Sequence, residues 1–342
     1  MDRKRSPESI GVIGAGSWGT ALAQLLADNG YGVHIWGYEE EIVEQIRNYR
    51  ENKGFLPGVP LAPWITASSH LGEVMNQKEM LVLAVPSHFF RDVVSQMIPY
   101  LPSVKGGGLW ITATKGIEND SLLTMTGILQ EMLTAEHHPY IGSLSGPSFA
   151  REVSKQLPTA ITLASFKPEA AQKAQQLFSN HYFRVYTNPD VIGVEMGGAL
   201  KNVIALAAGI SDGLGLGHNT RAALITRGLA EISRLGEKMG AQRSTFFGLA
   251  GIGDLVLTCT GDLSRNRRVG LRLGQGEKLP AILSSMTMIA EGVKTARSAY
   301  QLALKERIEM PIVMQVYGIL YEDLEPRQSV HDLMTRDLKG EE

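Results

Sequence analysis

Gly14-Ala15-Gly16-Ser17-Trp18-Gly19 is the stretch on which the fold turns, and it fits the pattern G-x-G-x-x-G. An apolar strand pattern, Ser9 to Ile13, precedes it; a helical pattern, Trp18 to Asn29, overlaps its end, and a second strand pattern runs from Gly32 to Trp36. In a strand, turn and helix of this kind the first glycine permits the tight turn. The second lets backbone approach a pyrophosphate, and the third lets helix and strand pack closely. Free N–H groups and the positive end of the helix dipole then face the anion. Gly14, Gly16 and Gly19 are therefore read as the core of a dinucleotide-binding turn.

Beyond the turn, Glu79 to Val85 and Gly108 to Thr114 read as further strands, and Pro158 to Ser165 and Phe183 to Thr187 as later ones. Met80 to Val85 has no polar alternation, as expected of a central parallel strand buried on both faces. Helices are expected at Ser87 to Leu101 and Ser121 to Thr134. After about Asn188 the period changes to helical spacing, with helices at Pro189 to Ser211, Thr220 to Met239, Arg265 to Leu273, Gly292 to Lys305, Pro311 to Glu322 and Val330 to Leu338. The expected fold class is α/β: an N-terminal Rossmann-like doubly wound sheet domain, residues 1–188, followed by an all-α C-terminal domain, residues 189–342.

The composition agrees with such a chain. Of 342 residues 37 are glycine, against about 24 at the usual share of roughly 7%, so about a dozen glycines need a specific reason. A net charge of -2 gives no broad positive field for nucleic-acid phosphates, so no nucleic-acid partner is expected. The single cysteine, Cys259, excludes an intramolecular disulfide and a thiolate zinc cage, and reads as a packed small residue. No metal is expected either, because His34, His137 and His138 show no ligand spacing. No apolar run approaches the roughly 20 residues that span a bilayer, and the start, Met1 to Ser9, is charged and polar. The protein is read as cytoplasmic and not integral to a membrane, and a homodimer is the default oligomer.

About 20 residues beyond the glycine turn, an acid is expected to bind the adenine ribose. Glu39 and Glu40 stand there, either in that role or as the solvated first turn of a helix. No arginine stands at this place to receive a 2′-phosphate, and Tyr38 can stack on adenine with either cofactor, so both NADH and NADPH stay open.

Ligands of open α/β sheets bind outside the carboxyl ends of the strands. Pro86-Ser87-His88, Thr114-Lys115-Gly116 and Ser145 to Ala150 fall there. Lys115, a cation directly after an apolar strand, reads as facing the nicotinamide or as an exposed loop lysine. In Glu195 to Ala205, one helix face holds Gly198, Lys201, Asn202 and Ala205, together with Ala208 and Gly209 beyond it. Buried there, Lys201 would have a lowered pKa useful for proton transfer; otherwise it snorkels to solvent. Glycines around Asp254 give a bend that turns its carboxylate inward. Ser264-Arg265-Asn266 opens a helix, where N–H groups, a serine cap and a guanidinium converge on an anion. Arg267 and Arg268 read as a solvated basic face.

Taken together, these stretches resemble the bacterial NAD(P)-dependent glycerol-3-phosphate dehydrogenases. GAGSWGTALA at Gly14-Ala23, FLPG at Phe55-Gly58, VLAVPSH at Val82-His88 and TKGIE at Thr114-Glu118 carry the first part of the likeness. SGPSFA at Ser145-Ala150, GGALKNVIALAAGI at Gly197-Ile210, GLAGIGDLVLTC at Gly248-Cys259, SRNRRVG at Ser264-Gly270, EG at Glu291-Gly292 and RDLK at Arg336-Lys339 carry the rest. One glycine motif is unspecific, but the ordered series is specific.

The resemblance implies reversible reduction of dihydroxyacetone phosphate to sn-glycerol 3-phosphate with NADPH or NADH, for glycerophospholipid synthesis. It implies that Lys201 is the proton donor and acceptor, with Lys115 and Asp254 beside it. Gly146 and Ser148 would line the substrate site, and Ser264, Arg265 and Asn266 would hold the phosphate end. Ser17, Trp18, Tyr38, Ala150, Ile289 and Glu291 would contact the cofactor, together with Lys115 and Arg265. Two rivals stand beside it: a hydroxy-acid or sugar-acid dehydrogenase of the same plan, and a non-catalytic redox sensor. Two lysines at the nicotinamide argue against the sensor, since binding alone needs no proton donor.

Overall fold

Short runs such as Met80–Leu83, Leu109–Thr112 and Ile141–Ser145 are buried along their whole length, which forces them to the middle of a sheet covered on both faces. In the computed structural model of the chain, residues 6–104, 106, 108–286, 288–338 and 340–341 are described, residues 6–9 by backbone alone. Met1 to Arg5 of the polar start and Lys339 of the RDLK tail lie outside the described residues.

The first part alternates strand and helix: β1 (Ser6–Ile13), α1 (Ser17–Asp28), β2 (Tyr31–Trp36), α2 (Glu40–Tyr49), β3 (Ile65–Ser68), α3 (Leu71–Met75), β4 (Met80–Leu83), α4 (Phe90–Met97), β5 (Leu109–Thr112), α5 (Met125–Met132), β6 (Ile141–Ser145), α6 (Ala150–Ser154), β7 (Thr159–Ser165), α7 (Pro168–Phe178) and β8 (Phe183–Asn188). The eight strands lie in the order β3-β2-β1-β4-β5-β6-β7-β8. Neighbours are parallel except β6 and β7. The chain reverses its direction across the sheet between β1 and β4, and the Gly14 turn leaves the carboxyl end of β1 at that switch point, where ligands of doubly wound sheets bind.

The second part is helical: α8 (Val191–Gly213), α9 (Gly217–Lys238), α10 (Arg243–Phe246), α11 (Asp254–Thr260), α12 (Arg265–Gly274), α13 (Leu279–Ser284), α14 (Glu291–Glu306), α15 (Pro311–Tyr321) and α16 (Pro326–Met334). Its core forms around α8, which is buried from Val191 to Ser211 with Ile192 alone partly open. Here one expectation fails. α8 is 23 residues long and apolar enough to cross a membrane by length and composition, but it is the core helix of this half. Close approach to α12 is possible because glycines face backbone on both sides. A Cβ on Gly209 would overlap the Arg267 carbonyl, and one on Gly270 would overlap that of Leu206.

Several element boundaries differ from the sequence reading. β3 and β6 fall in stretches assigned no strand. The single helix expected over Ser87 to Leu101 is a 3₁₀ turn at Ser87–Phe89, then α4, then a 3₁₀ segment at Ile98–Ser103. Pro99 and Pro102 lack the N–H groups that would continue an α-helix there. Ser121 to Thr134 shortens to α5, because the Thr124 hydroxyl caps it by accepting from the Gly127 N–H at 3.4 Å. Val330 to Leu338 slides back to α16, which starts on Pro326 with the Glu325 carboxylate capping Arg327 and Gln328.

Candidate active site

Asp254 sits at the first position of α11, directly after a π-helical turn, Leu249–Gly253. That turn can press against its surroundings because Gly251 has no side chain; a Cβ there would overlap Phe246 backbone. The bend carries the Asp254 side chain fully out of solvent, as the glycine-rich sequence suggested. Its Oδ1 accepts from Lys201 Nζ and its Oδ2 accepts from Lys115 Nζ at 2.6 Å. Lys201 is buried on α8 and does not snorkel to solvent. Lys115 follows β5 and also donates to the Gly146 carbonyl at 3.2 Å, which in turn accepts from the Ser148 hydroxyl at 3.0 Å. Lys115, Gly146, Ser148, Lys201 and Asp254 therefore form one connected cluster where the sheet meets the helical part.

Two ammonium groups share one carboxylate, so a full set of charges leaves a net positive charge in a buried place. Burial pushes Lys201 down to about 7, with Lys115 adding to the fall and Asp254 opposing it. Gly198, one turn before Lys201, lets this helix seat on β6: a Cβ there would stand 2.5 Å from Ser145 Oγ.

The glycine turn is open. Gly14 has φ +118° and its carbonyl lies against Gly19, where a Cβ would overlap it. Gly16 is the N-cap of α1 with no side chain capping the helix, and a Cβ built on it meets nothing within 4 Å. Uncapped N–H groups facing free space suit a pyrophosphate. Ser17 donates to Met288 Sδ at 3.3 Å, which brings the segment holding Ile289 and Glu291 beside the turn. Tyr38 stands away from the polar cluster, 81% exposed beyond the end of β2, touching Trp36 edge-on with ring centres 6.4 Å apart. Glu39 is the N-cap of α2 and Glu40 begins it; Glu40 pairs with Arg47 at 3.6 Å. Ala150 begins α6, and Trp18 packs on the sheet core.

Ser264 caps α12 by accepting from the Arg267 N–H at 3.2 Å. Arg265, partly buried, makes no hydrogen bond or ion pair among the described residues. Burial lowers its pKa, and the Glu291 carboxylate opposes that shift. Asn266 is already engaged: its Nδ2 donates to Asn202 Oδ1 and its Oδ1 accepts from the Gly292 N–H, both at 2.9 Å. Through Asn202, the residue after Lys201, this bond locks the start of α12 to the lysine turn. Arg267 is not a solvated residue as expected. It bonds Asp212 through Nε at 2.9 Å and Asp262 through Nη1 at 3.0 Å.

The sequence reading placed Thr258 in the stretch around Asp254 but gave it no role; its hydroxyl accepts from Lys201 Nζ at 2.8 Å and donates to the Asp254 carbonyl at 2.6 Å. Its signal was the i, i+4 spacing from Asp254. It also left Glu195 without a role; this buried carboxylate accepts from the N–H and hydroxyl of Thr126 and ties α8 to α5. Cys259 is fully buried, and burial pushes its thiol up to about 12, so it is a packing residue.

A doubly wound sheet with an open glycine turn, faced by two lysines bonded to one buried aspartate, defines a dinucleotide-dependent oxidoreductase. The models of the NAD-dependent glycerol-3-phosphate dehydrogenase N-terminus and C-terminus match residues 9–171 and 190–331. The chain is 59% identical to the glycerol-3-phosphate dehydrogenase [NAD(P)+] of Geobacter sulfurreducens over 98% of this chain and 99% of that one. It is 56% identical to the enzyme of the same name from Syntrophobacter fumaroxidans, over 97% of each chain. The crystal structure of glycerol-3-phosphate dehydrogenase from Coxiella burnetii superposes with a TM-score of 0.90 at 41% identity, covering 96% of this chain and 99% of that one. The chain belongs to the NAD-dependent glycerol-3-phosphate dehydrogenase family.

Proposed function

We propose that this protein catalyses the reversible reduction of dihydroxyacetone phosphate to sn-glycerol 3-phosphate with NADPH or NADH, providing the backbone of glycerophospholipids. The observation that carries the reading is the pairing of an unpartnered cation, Arg265, with the buried lysine turn through the Asn202–Asn266 bond. An anion anchor held at a fixed place from a proton donor is what a small phosphate ester with a reacting carbonyl needs.

Gly14, Gly16, Ser17, Trp18 and Gly19 would hold the dinucleotide phosphates, with Tyr38, Lys115, Ala150, Arg265, Ile289 and Glu291 along the rest of the cofactor. The nicotinamide supplies or takes up the hydride when bound. Negative charge growing on the substrate oxygen is met by the Lys201 ammonium, which delivers its proton there in reduction; the neutral amine takes it back in oxidation. Asp254 orients the ammonium, and Lys115 adds positive potential that keeps Lys201 from being too basic. Gly146 and Ser148 border the carbonyl end, while Ser264, Arg265 and Asn266 grip the phosphate.

In the same proposal the chain divides into a dinucleotide-binding domain, residues 1–188, and a helical substrate domain, residues 189–342, and works in the cytoplasm as a homodimer. The change from strand to helix between Asn188 and Val191 supports the division. Light scattering of the purified protein tests the dimer. The activity is tested by cofactor absorbance with dihydroxyacetone phosphate and each reduced cofactor. No oxidation of either cofactor overturns the reading, and equal turnover of unphosphorylated dihydroxyacetone removes the phosphate grip.

A further inference from the structure

Glu291 opens α14 as a partly buried carboxylate, and the bond from the Gly292 N–H to Asn266 Oδ1 at 2.9 Å brings it to the free Arg265 guanidinium, yet the two form no ion pair. Such neighbours normally close a two-point, charge-assisted pair. Here both carboxylate oxygens are already engaged by one residue from the other half of the molecule. Ser87, in the turn after β4, donates its backbone N–H to Glu291 Oε1 at 3.2 Å and its hydroxyl to Oε2 at 2.5 Å.

Ser87 is itself held in place. It is buried, and Gly116, next to Lys115, packs against it so closely that a Cβ on Gly116 would stand 2.5 Å from Ser87 Cβ and 2.6 Å from its Oγ. The hydroxyl therefore has little freedom to leave the carboxylate. Without it, Oε2 would be a partly buried anionic oxygen lacking its donor, and the guanidinium beside it is the group able to satisfy it.

We propose that Ser87 is a positioning residue that holds Glu291 away from Arg265, and so keeps the guanidinium free for the substrate phosphate. The inference rests on reading the start of α12 as the phosphate site. It assigns a role to the Pro86-Ser87-His88 turn at the end of the central strand, and it explains why the residue after Lys115 is a glycine.

Inorganic phosphate is the probe. Its affinity is read from thermal protection of the protein and from competitive inhibition against dihydroxyacetone phosphate at saturating cofactor, in wild type, Ser87→Ala, Glu291→Gln and the double variant. Ser87→Ala is expected to weaken phosphate about tenfold, the size of a lost charge-assisted bond. Glu291→Gln alone shifts it by less than about threefold. In the double variant phosphate affinity returns to within about threefold of Glu291→Gln, because no carboxylate remains to capture Arg265.

A double variant as weak as Ser87→Ala overturns the proposal, since the loss would then come from a disturbed turn. Wild-type phosphate affinity in Ser87→Ala overturns it too. Ser87→Cys fills nearly the same space with a weak donor; it should show a weakened phosphate response that Glu291→Gln restores, even where Ser87→Ala does not fold, and an unweakened response counts against the role. A wild-type protein with no phosphate response would sink the phosphate site itself, a failure distinct from that of Ser87.

Discussion

Lys201 and Asp254 are bonded to each other out of solvent, with Lys115 on the second oxygen of the same carboxylate. One proton must be easy to lose from such a set, and burial places that loss on Lys201, near pH 7.

Reduction therefore needs the protonated form, and kcat/KM for dihydroxyacetone phosphate should be flat below about pH 7 and fall about tenfold per unit above it. Oxidation of sn-glycerol 3-phosphate should rise through the same pH. The stability sign follows: an unfolded lysine keeps its proton to about pH 10.4, so between about 7 and about 10.4 the unfolded chain binds more protons. This group then makes the fold more stable as pH rises across that window. Lys201→Ala should abolish turnover while dinucleotide binding, followed by fluorescence titration, survives. Normal turnover in that variant would refute the assigned role.

Asp254→Ala leaves two facing ammonium groups with no counterion. The expected cost is about 3 to 5 kcal/mol in denaturant unfolding, the range for breaking a buried pair from one side. Lys115→Ala should cost clearly less, because Asp254 keeps Lys201 and Lys115 is the more exposed partner. Adding Lys201→Met to Asp254→Ala should recover part of the loss. Equal destabilisation by Asp254→Ala and Lys115→Ala would contradict a shared carboxylate.

The glycine turn was legible in the sequence because its pattern is a local requirement of backbone geometry, and Lys201 because glycines in a helix interior need a packing reason. β6 was hidden by its composition: Gly142, Ser143 and Ser145 weaken any strand propensity. Yet Gly142 is needed there, since a Cβ would stand 2.6 Å from the Ala164 carbonyl on β7. β3 has four residues, too few for a period to register. The Ser87–Glu291 bond joins residues 204 apart in sequence, and no local pattern encodes it.

Arg265→Ala should act on saturation by substrate. Removing a free guanidinium from a phosphate costs about 2 to 3 kcal/mol, so KM for dihydroxyacetone phosphate should rise about 30- to 160-fold with a smaller change in kcat. Steady-state kinetics check this, and turnover of unphosphorylated dihydroxyacetone, which lacks the gripped group, should be no worse than in wild type. A defect confined to kcat would move Arg265 from the phosphate to the reacting carbonyl.

The glycines of the turn should separate folding from binding. Gly16 has φ -69° and ψ 178°, open to any residue, and free space where a side chain would go. Gly16→Ala should therefore fold with unchanged or slightly higher stability, by about 0.4 to 1 kcal/mol from the stiffer unfolded chain. Its methyl would occupy the place where backbone must approach the pyrophosphate, so dinucleotide affinity should fall by about tenfold or more. Gly19→Ala should do the reverse. Its Cβ would overlap the Gly14 carbonyl, so the variant should lose about 3 kcal/mol of stability, with weaker binding following from the displaced turn. Paired melting curves and cofactor titrations of the two variants check both statements. A stable Gly16→Ala that binds as tightly as wild type would place the pyrophosphate elsewhere.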